Sequence, residues 1–192
     1  MARKRLIKFY KDGKRNYEVV LVLNQKLSIE ALKQKIEDAK QIAVALGAEI
    51  THMANTSLKS YAYPIESTNN KKGYYACLYL SMNPANVAEL NRKLSIQDDI
   101  LRTFVILANP KKQSLGIFAS NYEDDSYKPK RRMLSYDDPN ALIKFLGERG
   151  RIEPMKQTLG RNVAPGLALR QRVLSKEIKR SRFLSLLPYI EE

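Results

Sequence analysis

The sequence predicts an α+β protein, a split β-α-β-β-α-β sandwich followed by a small basic helical module. Three observations carry this reading. The runs Tyr17–Leu23 and Tyr74–Met82 are rich in β-branched and aromatic residues and bounded by polar ones, as buried strands are. Between and after them, apolar residues recur at steps of three and four, the helical period. The chain then turns basic: from Arg149 to Arg182 there are ten Lys/Arg against two acids, Glu153 and Glu177.

The elements follow in order. Tyr17–Leu23 is the first strand. Ser28 caps a helix, and Glu30 in its first turn suits the positive end of the helix dipole. Ile29, Leu32, Ile36, Ala39, Ala43 and Leu46 form its apolar stripe, and Gly47 ends it. Glu49–Tyr63 reads as one extended, partly polar strand, stopped by Pro64. Asn69–Gly73 is a basic turn, and Tyr74–Met82 returns as a buried strand. Asn83-Pro84 starts a short helix with proline at its first position. Val87, Leu90 and Leu94 line its inner side, and Ile100–Leu107 is the last strand. This order is the ferredoxin-like arrangement, an antiparallel sheet with two helices on one face. The other face is either open or covered by something else.

Residues 1–108 make up this first domain, and residues 109–134 a charged linker. Its blocks, Glu123–Ser126 and Lys128–Arg132, suit a flexible coil with a reach of roughly 25–30 Å. Leu115, Ile117 and Phe118 in it form a patch able to dock on a partner. The second domain spans residues 135–192. Asp138-Pro139 starts a helix whose apolar face is Ala141, Leu142, Phe145 and Leu146, bracketed by Gly147 and Gly150. A loop from Arg151 to Gly166 leads to the last helix, Leu167 to Phe183. Leu169, Val173, Leu174 and Ile178 are its expected apolar stripe, with Arg172, Lys176, Lys179 and Arg180 on the other side. A module this small is marginal alone and needs a docking surface, which the first module offers in the same chain.

The totals narrow the function classes. The 192 residues carry a net charge of +14 and a pI near 9.8, which favours a polyanionic partner. No apolar run approaches the roughly 18 residues of a membrane span. The single cysteine, Cys77, excludes a disulfide framework and a cysteine-based zinc site. The acid-free start MARKRLIKFYK reads as a basic nucleic-acid-binding arm or a mitochondrial targeting segment.

The second module resembles bacterial small-subunit ribosomal protein S18. The residues that carry this are the Asp138–Leu146 helix, Glu148–Ile152 (ERGRI), Pro154, Thr158, Gly160 and Arg170-Gln171-Arg172. Ile178-Lys179-Arg180 through Arg182-Phe183 to Leu187-Pro188-Tyr189 completes the match. The first module resembles ribosomal protein S6 through Arg15, Tyr17-Glu18, Tyr61–Ile65, Gly73-Tyr74-Tyr75, Pro84, Glu89-Leu90 and Ile100-Leu101-Arg102. The chain thus resembles a fusion of two families whose members bind side by side on the platform of the small subunit. It departs from the S18 pattern at Met155-Lys156, where a basic pair is usual, and by about six extra residues near Arg161–Gly166. The cysteines of some S18 members are absent.

The resemblance implies a structural constituent of the small ribosomal subunit that binds small-subunit rRNA in the platform, or central-domain, region. The candidate rRNA-binding residues are Arg149, Arg151, Lys156, Arg170, Arg172, Lys176, Lys179, Arg180 and Arg182. Arg can clamp two phosphate oxygens, and Lys acts as a point charge. Recognition by shape and backbone is expected, because A-form grooves hide base edges. Arg15, Tyr61, Tyr63 and Arg102 are interface or secondary RNA contacts. Tyr74, Tyr75 and Tyr79 are read mainly as packing residues. The implied partners are other small-subunit ribosomal proteins and the first module itself, docked on the second. No membrane, cofactor or metal is implied.

An enzyme is not supported. His52 is the only histidine, and Asp98-Asp99 and Glu123–Asp125 are read as caps or partners of basic residues. The alternative is an extraribosomal RNA-binding regulator. The expected location is the small subunit of a bacterial or an organellar ribosome.

Overall fold

The computed structural model describes residues 13–54, 56–65, 71–108, 134–154 and 167–190. Among them the order is β1 (Arg15–Asn24), α1 (Ile29–Ala45), β2 (Glu49–Met53), β3 (Ser57–Ser60), β4 (Lys72–Met82), α2 (Val87–Ser95), β5 (Ile100–Leu107), α3 (Pro139–Leu142) and α4 (Leu167–Phe183). The expected α+β class holds, with a sheet of antiparallel pairs, helices packed on it and a helical C-terminal region. The sheet runs β2-β4-β1-β5, and β3 also pairs with β4. β1–β5 and β2–β4 are antiparallel.

The expected strand Glu49–Tyr63 is two strands. The register of β2 against β4 shifts between Ile50 and His52, and the ladder is interrupted at Ala54. The Ala54 N–H still reaches the Cys77 carbonyl at 2.9 Å. A bulge of this kind bends a strand, which its polarity pattern alone does not reveal.

The described residues divide into two compact units that do not follow chain order. Ser57–Gly73 belongs with the C-terminal residues, and Tyr74 returns to the first unit.

In the first unit, alternation along β1 sends Tyr17, Val19, Leu21 and Leu23 into one core with Ala76, Leu78, Leu80 and Met82 of β4. Leu32, Ile36, Ala39 and Ala43 of α1 and Leu90 and Leu94 of α2 complete it. Ile29, expected in the α1 stripe, is instead 67% exposed. It lies in the opening turn, and the buried side of the helix begins at Leu32. The opposite sheet face is also closed at Val20, Val22, Tyr75 and Cys77, all 0% exposed.

The helix ends follow their sequence signals. The Ser28 hydroxyl accepts the Ala31 N–H at 3.2 Å. Gly47, at φ +77°, lets its own N–H reach Val44 O and the Ala48 N–H reach Ala43 O, the paired bonds of a left-handed helix cap. Pro84 opens a 3₁₀ turn (Pro84–Asn86) before α2, and the Asn86 amide donates to Leu46 O at 2.8 Å. Asp99 accepts from Lys35 at 3.0 Å, in line with the reading of Asp98-Asp99.

The second unit is built around Leu142, Phe145, Leu174, Ile178 and Leu187. Asp138 caps α3, accepting the Ala141 N–H at 3.1 Å, with Pro139 in the first turn. The expected α4 stripe needs correction: Leu174 and Ile178 are buried, whereas Leu169 and Val173 are 66% and 40% exposed. At about 100° per residue, Leu169 and Val173 share one side and Leu174 and Ile178 another. The outward side of α4 therefore carries apolar residues among its cations.

Candidate nucleic-acid interface

Two features of the second unit present cations. The first is α4. Arg172, Lys176 and Lys179 are exposed at i, i+4 and i+7, one above another along about 10 Å of axis. Arg170, one turn before Leu174, is half-buried.

The second feature is a tight loop. Leu146 and Ile152 form an antiparallel bridge. The Glu153 N–H meets Phe145 O at 2.9 Å, and the Gly147 N–H meets Arg151 O at 2.8 Å. Between them a 3₁₀ turn, Glu148–Gly150, places Arg149 at φ 59° and Gly150 at φ 71°. Left-handed backbone costs a non-glycine residue roughly 1–2 kcal/mol, and such outliers gather at functional sites. The result is a tip with Arg149 and Arg151 both exposed.

Among the described residues, none of Arg149, Arg151, Arg170, Arg172, Lys176 and Lys179 forms an ion pair with a described carboxylate. No described carboxylate therefore offsets their charge, and a cluster of such cations on one unit has the charge character that attracts polyanions.

The other candidates are placed differently. Arg180 reaches Glu177 at 2.6 Å. Glu177 is buried, and its second oxygen accepts the Tyr136 N–H at 2.9 Å, so this carboxylate ties α4 to the segment before α3. Arg182 is 9% exposed, and its guanidinium donates to the carbonyls of Pro188 and Gly150. Its charged group also lies 5.6 Å from the ring centre of Tyr189. Lys156, the linker residues 109–133 and the insertion near Arg161–Gly166 lie outside the described residues.

Tyr61 and Tyr63 belong to the same unit. The Tyr61 N–H donates to Lys71 O at 2.9 Å and the Ala62 N–H to Ser185 O at 2.7 Å. The Tyr63 hydroxyl donates to Arg182 O, and the Ser185 hydroxyl donates to Tyr63 O, each at 2.6 Å. Tyr63 also meets Tyr189 edge-on at 5.4 Å. Arg15 and Arg102 lie in the first unit, on β1 and β5, Arg102 opposite Val22. Tyr75 is fully buried, and Tyr79 stacks with exposed His52 at 5.8 Å.

Sequence reasoning missed the structural use of Ser185, at φ 58°. It ends α4 with the bonds Ser185 N–H to Arg182 O and Leu186 N–H to Ser181 O, a cap that usually carries glycine. Only the loss of helical pattern before Pro188 hinted at it.

Among the described residues, no cluster of acidic, histidine or cysteine side chains could hold a metal ion, and no helix is long and apolar enough to cross a membrane.

Comparison with known proteins gives this geometry its context. The Ribosomal protein S6 profile matches residues 16–107, and the Ribosomal protein S18 profile matches residues 130–187. Small ribosomal subunit protein bS6 of Clostridium novyi is 35% identical over 98 residues, spanning 51% of this chain and 99% of that protein. The Helicobacter hepaticus bS6 is 31% identical over 123 residues, spanning 64% of this chain and 88% of that protein. The crystal structure of Thermotoga maritima 30S ribosomal protein S6 aligns with a TM-score of 0.46 at 20% identity, over 50% of this chain and 88% of that one. Both profiles describe ribosomal proteins rather than enzymes. The chain belongs to the family of small-subunit ribosomal protein S6, and it carries a ribosomal protein S18 domain at its C-terminal end.

Proposed function

We propose that this chain binds small-subunit rRNA in the platform region through its C-terminal module, and that its first module (residues 1–108) holds the second (residues 135–192) in place. The RNA face consists of Arg149, Arg151, Arg170, Arg172, Lys176 and Lys179, with Lys156 added on sequence grounds. Arg180 and Arg182 serve mainly the fold. Arg15 and Arg102 are secondary contacts. Other small-subunit proteins are its neighbours.

The observation that carries the RNA reading is the division of labour among the cations. Two arginines are spent on internal partners, and the six others project from one unit with no described carboxylate to neutralise them. The docking reading is supported by Ser57–Gly73. This segment lies inside the S6 match yet shares a compact unit with the S18 match.

The test has two arms. In sucrose gradients the chain should co-sediment with small subunits through a moderate salt wash, and a chain confined to light fractions would favour an extraribosomal regulator instead. In filter binding to a central-domain rRNA fragment, six phosphate contacts predict that log K falls by about 4–5 per tenfold rise in salt. A slope near zero would refute the proposed face.

A further inference from the structure

We infer that Arg182 is a positioning residue: it fixes the Arg149–Arg151 tip for phosphate from behind, and Tyr63 holds Arg182 in turn. The inference rests on the RNA reading above, and it changes what one of the most RNA-like arginines of the sequence does.

The chain of contacts lies within one compact unit. The Arg182 guanidinium spends donors on two carbonyls, Pro188 O at 3.0 Å and Gly150 O. Gly150 is the residue between Arg149 and Arg151, so the fork holds the tip by its middle carbonyl. A planar guanidinium can serve two acceptors in a fixed geometry, which an ammonium on a flexible stem does not do. The tip also lacks freedom on its other side. A Cβ on Gly150 would run into the Tyr189 carbonyl, so the Tyr189–Ile190 backbone packs directly on Gly150. The Tyr189 ring lies beside both the Arg182 guanidinium and the Tyr63 ring.

Arg182 is itself held from the S6-like part of the chain. Its backbone carbonyl accepts the Tyr63 hydroxyl at 2.6 Å and also the Ser185 N–H at 2.9 Å. Ser185 returns a hydroxyl bond to Tyr63 O and accepts the Ala62 N–H. Residues 62–63 thus brace the end of α4, and Arg182 carries that bracing to Gly150. With the guanidinium buried and two of its N–H groups committed to carbonyls, Arg182 is less available to phosphate than exposed Arg172.

The test uses the full chain and a central-domain rRNA fragment, with the salt slope as readout. Hydrogen exchange of α4 reports separately on folding. Arg182→Gln should remove about two phosphate contacts, lowering the slope by roughly 1.4–1.8. Arg149→Gln/Arg151→Gln should lower it equally, and Arg182→Gln added to that pair should change it little further. Arg182→Lys keeps the charge but not the fork, and should resemble Arg182→Gln. Tyr63→Phe removes one hydroxyl, the one bonded to Arg182 O, and should weaken binding roughly two- to tenfold.

Three results would overturn the inference: an additive loss of about one contact in the triple variant, full rescue by Lys, or loss of α4 protection with an unchanged slope in the folded fraction. If Arg182→Gln does not fold, Arg182→Lys and Tyr63→Phe decide the matter alone. A slope that stays low with Lys and weaker binding with Phe support positioning. A wild-type slope with Lys, or unchanged binding with Phe, rejects it. Failure of the unaltered chain to bind the fragment would overturn the RNA reading itself, and so is distinct from all of these.

Discussion

Replacing Gly150 by alanine isolates how tightly the basic tip is built. Gly150 stands at φ +71°, where a Cβ costs roughly 1–2 kcal/mol by local sterics alone. The same Cβ would strike the backbone carbonyl of Tyr189, which cannot rotate aside as a side chain would. Forcing extra volume into a packed site typically adds about 1–3 kcal/mol. The sum is roughly 2–5 kcal/mol, concentrated in the second unit. Gly47→Ala is the matched control. Gly47 has φ +77° but nothing within 4 Å of the added Cβ, so only the backbone cost of roughly 1–2 kcal/mol applies. The assay is native-state hydrogen exchange followed by mass spectrometry, reading α4 for Gly150→Ala and α1 for Gly47→Ala. The α4 opening energy should fall by clearly more than that of α1. Equal losses, or protection of α4 unchanged by Gly150→Ala, would refute the packing of the tip against Tyr189.

Other expectations follow from single contacts. Ile178→Ala should destabilise the second unit by about 2–5 kcal/mol, because Ile178 is fully buried in a core of few large side chains; denaturation monitored by α4 exchange checks this. Asp138→Ala should cost that unit roughly 0.5–2 kcal/mol by removing the bond to the Ala141 N–H, with Asp138→Asn largely restoring it in the same measurement. The hydrogen bond from Arg92 holds the Glu89 carboxyl below its ordinary value. Glu89 therefore contributes stability in full above about pH 4.5, and loses it as pH falls through the lower folded value. Glu89→Gln should flatten that acid limb in pH-dependent denaturation, and an identical pH profile would exclude the pairing.

Much of the fold was legible because its signals are local. Tyr17–Leu23 and Tyr74–Met82 announce themselves by β-branched and aromatic content, and Ser28, Gly47 and Asp138-Pro139 by end chemistry. What escaped depends on tertiary context. Helical spacing grouped Leu169 and Val173 with Leu174 and Ile178, but the core touches only one side of α4, and steps of four cannot say which pair it takes. The bulge within β2, between Ile50 and His52, and the break before β3 depend on how these residues pair with β4, which polarity along the strand does not show. On the site, residue type identified the basic patch but could not distinguish Arg182 from Arg172. Both are arginines on one helix, and only the acceptors around Arg182, the carbonyls of Gly150 and Pro188, separate a fold-building guanidinium from an outward one. A tyrosine at a strand end reads as an interface residue by type, but the partner Tyr63 meets lies 119 positions away along the chain, beyond the reach of any local signal.

Lysine-reactive footprinting of purified small subunits, compared with the free chain, tests the central claim most directly. Bound rRNA predicts that Lys176 and Lys179 become strongly protected on assembly, while exposed Lys33 on the first unit keeps its reactivity. Equal labelling of Lys176 and Lys179 in the free and assembled protein would mean that the outward side of α4 meets no phosphate, and would contradict the account.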